Sequence, residues 1–168
     1  MTVTCVRPML RADLPGVLAI EIQANPVPWH AADFEVFLKD PVDLMASAEN
    51  AASPGGWAGS PANGPVGWVW ANPEVQAFAC VVGAADEVEL QSIAVARDQW
   101  GRGLGSALMD ILCAWARANA YRTLHLEVRE GNARALEFYA RWGFVPAGCR
   151  PKYYRDNGEA ALLLAKTL

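Results

Sequence analysis

Histidine is scarce in this chain, with two in 168 residues, and its four cysteines stand far apart at 5, 80, 113 and 149. There is no C-x-x-C pair and there are too few histidines to complete a ligand set, so no metal is expected; the cysteines read as buried or half-buried free thiols. No apolar run approaches the ~18 residues of a membrane span, and the start Met1-Thr-Val-Thr4 lacks the basic residues of an export signal. A net charge of −4 offers no cationic surplus for a phosphate backbone. These absences predict a cytoplasmic chain with neither membrane nor nucleic acid as partner.

Basic residues are also missing from one half. Residues 1 to 90 carry three against eleven acidic ones, whereas residues 91 to 168 carry eleven against seven. A basic second half suits a polyanionic cofactor and an acidic first half suits a cationic acceptor, although scattered solvated charge produces the same asymmetry. With 53% hydrophobic and 19% charged residues, the composition is that of a globular protein. The length fits one domain over residues 1–168.

What the chain does have is the stretch Ser92-Ile-Ala-Val-Ala-Arg-Asp-Gln-Trp-Gly-Arg-Gly-Leu-Gly-Ser106. An apolar strand ends at Val95, a polar turn follows, and glycines alternate at 101, 103 and 105 before a long helical pattern. Glycines let backbone N–H groups approach a ligand without a Cβ between, and a helix start aims unpaired N–H groups and a positive dipole end at the same point. The predicted ligand is a phosphate or pyrophosphate, although a glycine-rich strand-to-helix turn can also exist without one. A P-loop is excluded because Gly105 is followed by Ser106 and Ala107 and no lysine. A dinucleotide fingerprint starting at Gly101 fails because position 106 is Ser106 and neither glycine nor alanine.

Along the chain, Val3 to Arg7 reads as a strand and Asp13 to Gln23 as a helix with Leu14, Leu18 and Ile22 on its buried face. Pro26 and Pro28 force a loop, and a second helix is predicted from Ala31 to Leu38. Residues 41 to 64 read as a loop insertion or a functional lid, with insertion preferred. Val66–Trp70 and Val75–Val82 form a predicted hairpin, followed by a strand from Glu87 to Val95. The helix after the glycines carries Leu104, Leu108, Ile111, Leu112 and Trp115 on one stripe. From Arg122 to Arg129 the pattern alternates, with Leu124, Leu126 and Val128 facing one way and His125, Glu127 and Arg129 the other. Asn132 caps a helix to Trp142, Gly143 ends it, and strands at Phe144–Cys149 and Ala160–Lys166 close the chain. The order is strand, two helices, three strands, helix, strand, helix, two strands, which predicts an α/β fold with helices on both faces of a mixed sheet.

The block Leu126-Glu127-Val128-Arg129-x-x-Asn132-x-x-Ala135-x-x-Phe138-Tyr139-x-x-x-Gly143-Phe144 resembles the strand–helix segment that follows the cofactor loop in GNAT N-acetyltransferases. The glycine loop resembles that family's Gln/Arg-x-x-Gly-x-Gly/Ala pyrophosphate loop, with Trp100 in place of its first residue. Together with Ile93-Ala-Val95 the likeness runs over residues 88 to 155 in the family's order. Within the family, Leu124-His-Leu-Glu-Val-Arg129, the Val27-Pro-Trp29 turn and Lys152-Tyr153-Tyr154 are similar to the RimI-like ribosomal-protein alanine N-acetyltransferases.

The resemblance implies acetyl-CoA as cofactor, its pantetheine arm against Ile93, Ala94 and Val95 and its pyrophosphate on Gly101, Arg102, Gly103, Leu104, Gly105 and Ser106. Asn132 is implied as a further contact, although capping alone explains it. It implies direct attack of a free amine on the thioester, with Glu127 as base and Tyr139 as acid. Glu89 is the rival base, Glu127 could instead pair with His125 or Arg129, and Tyr139 could merely pack. Pro28, Trp29, Tyr153 and Tyr154 would hold the acceptor, either a protein N-terminal peptide or a small amine. A peptide α-amine has a pKa near 8 and lysine one near 10.4, a difference of roughly 3 kcal/mol in free base at neutral pH, which favours the α-amine.

Overall fold

The computed structural model describes residues 6–39 and 63–168. Cys5, the predicted strand start at Val3 and nearly all of the 41–64 segment lie outside the described residues. Within them the elements are β1 (Val6–Pro8), α1 (Leu14–Ala24), α2 (Ala31–Phe34), β2 (Gly64–Ala71), β3 (Val75–Ala84), β4 (Glu87–Val95), α3 (Leu104–Ala118), β5 (Thr123–Arg129), α4 (Ala133–Arg141), β6 (Val145–Arg150) and β7 (Ala161–Thr167). This is the predicted order. The second helix is shorter than expected, because after Phe34 it tightens into a 3₁₀ turn over Glu35–Phe37.

The seven strands form one sheet in the order β1-β2-β3-β4-β5-β7-β6, antiparallel at every pairing but β4–β5. β3 shows how both faces are buried. Its Ala77, Ala79 and Val81 join a core with Leu108 and Leu112 of α3, while Phe78 and Cys80 join a second core with Val17 and Ile20 of α1. α1 covers one face, and α3 and α4 the other.

Two expectations are corrected. The buried face of α1 is Leu14, Val17, Ile20 and Glu21, while Ile22 is 66% exposed. The buried face is turned by about one residue from the expected one, with Glu21, a carboxylate, facing inward. Cys80 and Cys113 are buried free thiols as expected, but Cys149 is exposed, because the β6 edge strand on which it sits is exposed along its whole length.

The feature that positions the site is a fork. β4 and β5 pair only from Glu87–Thr123 to Leu90–Leu126. Beyond that, β4 continues against β3 alone and β5 against β7 alone. The register between β3 and β4 slips at Cys80/Val81, where Leu90 faces Val81 and Ser92 faces Cys80, leaving Gln91 as an extra residue. Such a bulge bends its strand, and here it turns β4 away from β5 just where their pairing stops.

Candidate active site

A cleft of about 1230 Å³ opens in the fork, bounded by the end of β4, the glycine loop, β5, α4 and the turn after α1. One wall is main chain. The Ala96 N–H donates to the Gln76 carbonyl at 2.8 Å, which makes Gln76–Ala96 a hydrogen-bonded pair of the antiparallel ladder. Pairs alternate, so Ala94 directs its N–H and C=O to Phe78, while Ile93 and Val95 direct theirs away from β3, toward the cleft. Of the three residues assigned to the pantetheine, Ile93 and Val95 present free-edge groups, and Ala94 lines the cleft with its backbone engaged by β3. The indole Nε1–H of Trp100 donates to the Val95 carbonyl at 2.8 Å, which confirms that this carbonyl points outward.

α3 begins where β4 ends. Its first N–H groups, at Leu104, Gly105 and Ser106, precede the first intrahelical bond, from Ala107 N–H to the Gly103 carbonyl. Gly101 and Gly103 have φ of +80° and +81°, and a Cβ built on either would meet no atom within 4 Å. The bare side of each glycine faces open space, the geometry a closely approaching phosphate needs. Gly101, Gly103, Leu104, Gly105, Ser106 and Asn132 all line the cleft, and Arg102 does not. Arg102 instead donates to Gln99 Oε1 at 3.1 Å. Asn132 is a cap as well as a wall, its Oδ1 accepting from the Ala135 N–H at 3.2 Å.

Glu127 and Tyr139 are brought to the same cleft, and Glu89 is not. Glu89 stands opposite His125 in the paired part of β4–β5, before the fork. Neither sequence neighbour pairs with Glu127: His125 reaches Glu87 at 3.4 Å and Arg129 reaches Asp156 at 3.1 Å. Its partner is Arg150 of β6, at 3.1 Å from Oε1. Tyr153 also hydrogen-bonds Glu127, and that bond is the main reason its phenol holds its proton more tightly than usual. Tyr139 is buried, with its ring edge-on to Phe138 and Phe144, both at 5.5 Å. It packs and lines the cleft at once. Burial, with a smaller contribution from Tyr154, pushes its pKa well above the ordinary phenol value, so its hydroxyl carries a proton throughout the neutral range.

Trp29 and Pro28 also line the cleft. The indole of Trp29 stacks on Phe37 at 5.9 Å and leans on Phe34 at 5.2 Å. Tyr154 lines the cleft, whereas Tyr153 does not and is 44% exposed. The Arg129 guanidinium lies over the Tyr154 ring at 3.8 Å and also bonds Asp156 and Glu159, which ties the loop after β6 to β5. Glu159 in turn accepts from the Gly131 N–H, and its bonds from Asn157 and Gly131 hold its carboxyl below the usual range.

Sequence reasoning assigned none of the four arginines that line the cleft, Arg97, Arg129, Arg134 and Arg141, to the site. Arg134 lies 3.5 Å over the Trp100 ring and Arg97 lies 6.0 Å from it. The available signal was Arg134 in the first turn of α4, where the helix dipole disfavours a cation and a negatively charged ligand would offset it. Among the described residues no cluster of three or more His, Cys, Asp or Glu could hold a metal, and no helix is long and apolar enough to cross a membrane.

Comparison with known proteins agrees with this geometry. A Bacillus subtilis protein to which ribosomal protein bS18-alanine N-acetyltransferase activity is attributed is 27% identical over 99% of this chain and 97% of its own length. The ribosomal protein bS18-alanine N-acetyltransferase of Escherichia coli K12 is 38% identical over 96 residues, 56% of this chain and 65% of that protein. The crystal structure of the Escherichia coli ribosomal-protein-S18-alanine N-acetyltransferase superposes with a TM-score of 0.73 at 29% identity, covering 96% of this chain and 92% of that one. The family model described as acetyltransferase (GNAT) family matches residues 14–144. The chain therefore belongs to the GNAT acetyltransferases and is an acetyl-CoA-dependent N-acetyltransferase.

Proposed function

We propose that this enzyme acetylates the N-terminal α-amine of a protein whose first residue is small, alanine above all, with a ribosomal protein as the substrate class, and that it works in the cytoplasm. The observation that carries the reading is a pair of aromatic side chains that line the same cleft, Trp29, packed on Phe34 and Phe37, and Tyr154, under the Arg129 guanidinium. In this reading the two rings flank the incoming chain end and limit the width of its first side chain. The two bacterial relatives named for bS18-alanine acetylation support the same choice.

In this reading acetyl-CoA supplies a thioester-activated acetyl group. The outward N–H groups of Ile93 and Val95 orient it along β4, and the N-terminus of α3 with Gly101 and Gly103 holds its phosphates. Glu127, which lines the cleft, takes the proton from the incoming amine. Arg150 is 53% exposed on its side chain and can swing aside as the amine approaches. Tyr139 gives its proton to the departing thiolate sulfur, which leaves as the thiol; its hydroxyl is protonated throughout the neutral range and so has the proton to give.

The test is a panel of peptides differing only in the first residue, with thiol release as the readout. Ala-initiated peptides should react faster than Leu- or Lys-initiated ones, and Trp29→Ala should lose the preference. Equal rates for all first residues would refute the small-residue preference, and efficient acetylation of free amino acids with none of peptides would refute the peptide acceptor in favour of a small-molecule amine.

A further inference from the structure

Only two charged side chains are buried among the described residues, Asp13 and Glu21. Asp13 is satisfied by two bonds of 2.6 Å from Arg7 and one of 2.8 Å from the Leu10 N–H. Glu21 is different. It is fully buried in the last turn of α1, packed on the side of the sheet where Val17, Ile20 and Phe78 form the core. No ion pair involves it among the described residues. A carboxylate in such a place is unfavourable unless hydrogen bonds compensate its lost hydration.

Those bonds all go to one segment. Glu21 Oε1 accepts from Asn25 Nδ2 at 2.6 Å and from the Trp29 N–H at 3.1 Å, and the Asn25 N–H donates to the Glu21 carbonyl at 2.9 Å. The turn from Asn25 to Trp29 holds prolines at 26 and 28, so two of its five residues have no N–H to give. One oxygen therefore ties the first and last residues of a donor-poor turn. Every residue of that turn lines the cleft. The other oxygen, Oε2, is buried without a hydrogen-bond partner, so half of the carboxylate is not needed for the tie.

We infer that Glu21 is a positioning residue for the acceptor: it brackets the Asn25–Trp29 turn and so sets where the Trp29 wall stands. This rests on the reading of that wall as the acceptor side. Only the Oε1 acceptor matters, so an amide should serve as well as the acid, its Nε2 taking the place of the unpartnered Oε2.

Two variants test this, Glu21→Gln, which keeps the acceptor oxygen, and Glu21→Met, which keeps the volume without it. Deuterium exchange of the Trp29 amide reports the bracket whatever the acceptor is. It should be protected in wild type and Glu21→Gln and exchange at least about tenfold faster in Glu21→Met. With an Ala-initiated peptide, Glu21→Met should raise KM for the peptide at least about tenfold with KM for acetyl-CoA unchanged, and Glu21→Gln should match wild type in both. A Trp29 amide equally protected in Glu21→Met overturns the bracket. A loss of kcat in Glu21→Gln overturns it in favour of a proton-handling carboxylate. Faster Trp29 exchange with no peptide turnover even in wild type would keep the bracket and refute the peptide acceptor.

Discussion

Gly103→Ala separates the two things a glycine can do at the start of α3. Its φ of +81° lies in the left-handed region, where an L-residue is strained by roughly 1–2 kcal/mol. A Cβ there meets nothing within 4 Å, so no packing penalty is added. Against a domain stability of about 5–15 kcal/mol the variant should fold, with Tm lowered by about 2–8 °C. Binding should suffer more than folding does. The methyl group enters the open space at the helix N-terminus, where a phosphate oxygen must come within about 2.9 Å of N–H groups. Dissociation of acetyl-CoA should strengthen at least about tenfold, or 1.4 kcal/mol of lost affinity. Circular dichroism establishes the fold, and calorimetric titration at 25 °C, well below either Tm, gives Kd. Unchanged affinity in a folded Gly103→Ala would refute the assignment of this loop to the phosphates.

Tyr139→Phe should lower kcat about 10²-fold or more with acetyl-CoA affinity intact, since the ring keeps its contacts with Phe138 and Phe144; turnover within threefold or so of wild type would reduce Tyr139 to packing. Because burial raises its pKa, the alkaline limb of the wild-type pH–rate profile should lie below the titration of Tyr139 and survive its replacement. Glu127→Gln should remove the acidic limb of kcat/KM, while Glu89→Gln, altered outside the cleft, should leave it; the opposite pair of results would transfer the base role to Glu89.

The fold was legible wherever one short stretch decides the outcome. The alternation of β5, the apolar stripe of α3, the Asn132 cap and the left-handed Gly143 at φ +80° are all local, and each stands where the sequence puts it. The cleft wall made by the end of β4, the glycines and the start of α3 was legible for the same reason, since these residues lie close together in sequence. α1 was misread because hydrophobicity assigns Ile22 inward, whereas the inward residue is Glu21, whose carboxylate is hydrogen-bonded by Asn25 and Trp29 across a turn that the helical period does not reveal. The partner of Glu127 was not legible because strand order in space is β5-β7-β6, which brings Arg150 near, while Arg129, the alternative two residues away in sequence, turns to Asp156.

The same through-space pairings bear on how an acceptor is chosen. The acidic first half of the sequence suggested attraction of cationic chains, but the carboxylates around the cleft are largely committed. Glu127 faces Arg150, Glu159 and Asp156 face Arg129, and Asp33 accepts the His30 N–H at 2.7 Å at the start of α2. Each of these carboxylates has a partner inside the protein, and screening leaves little of their field beyond a Debye length of about 8 Å at physiological salt. What the cleft retains is shape, since Trp29 is braced by two phenylalanines and Tyr154 by a guanidinium at 3.8 Å. The proposed preference for a small first residue is accordingly steric. It should persist when salt is raised to about 0.5 M, whereas a preference set by charge would fade over that range.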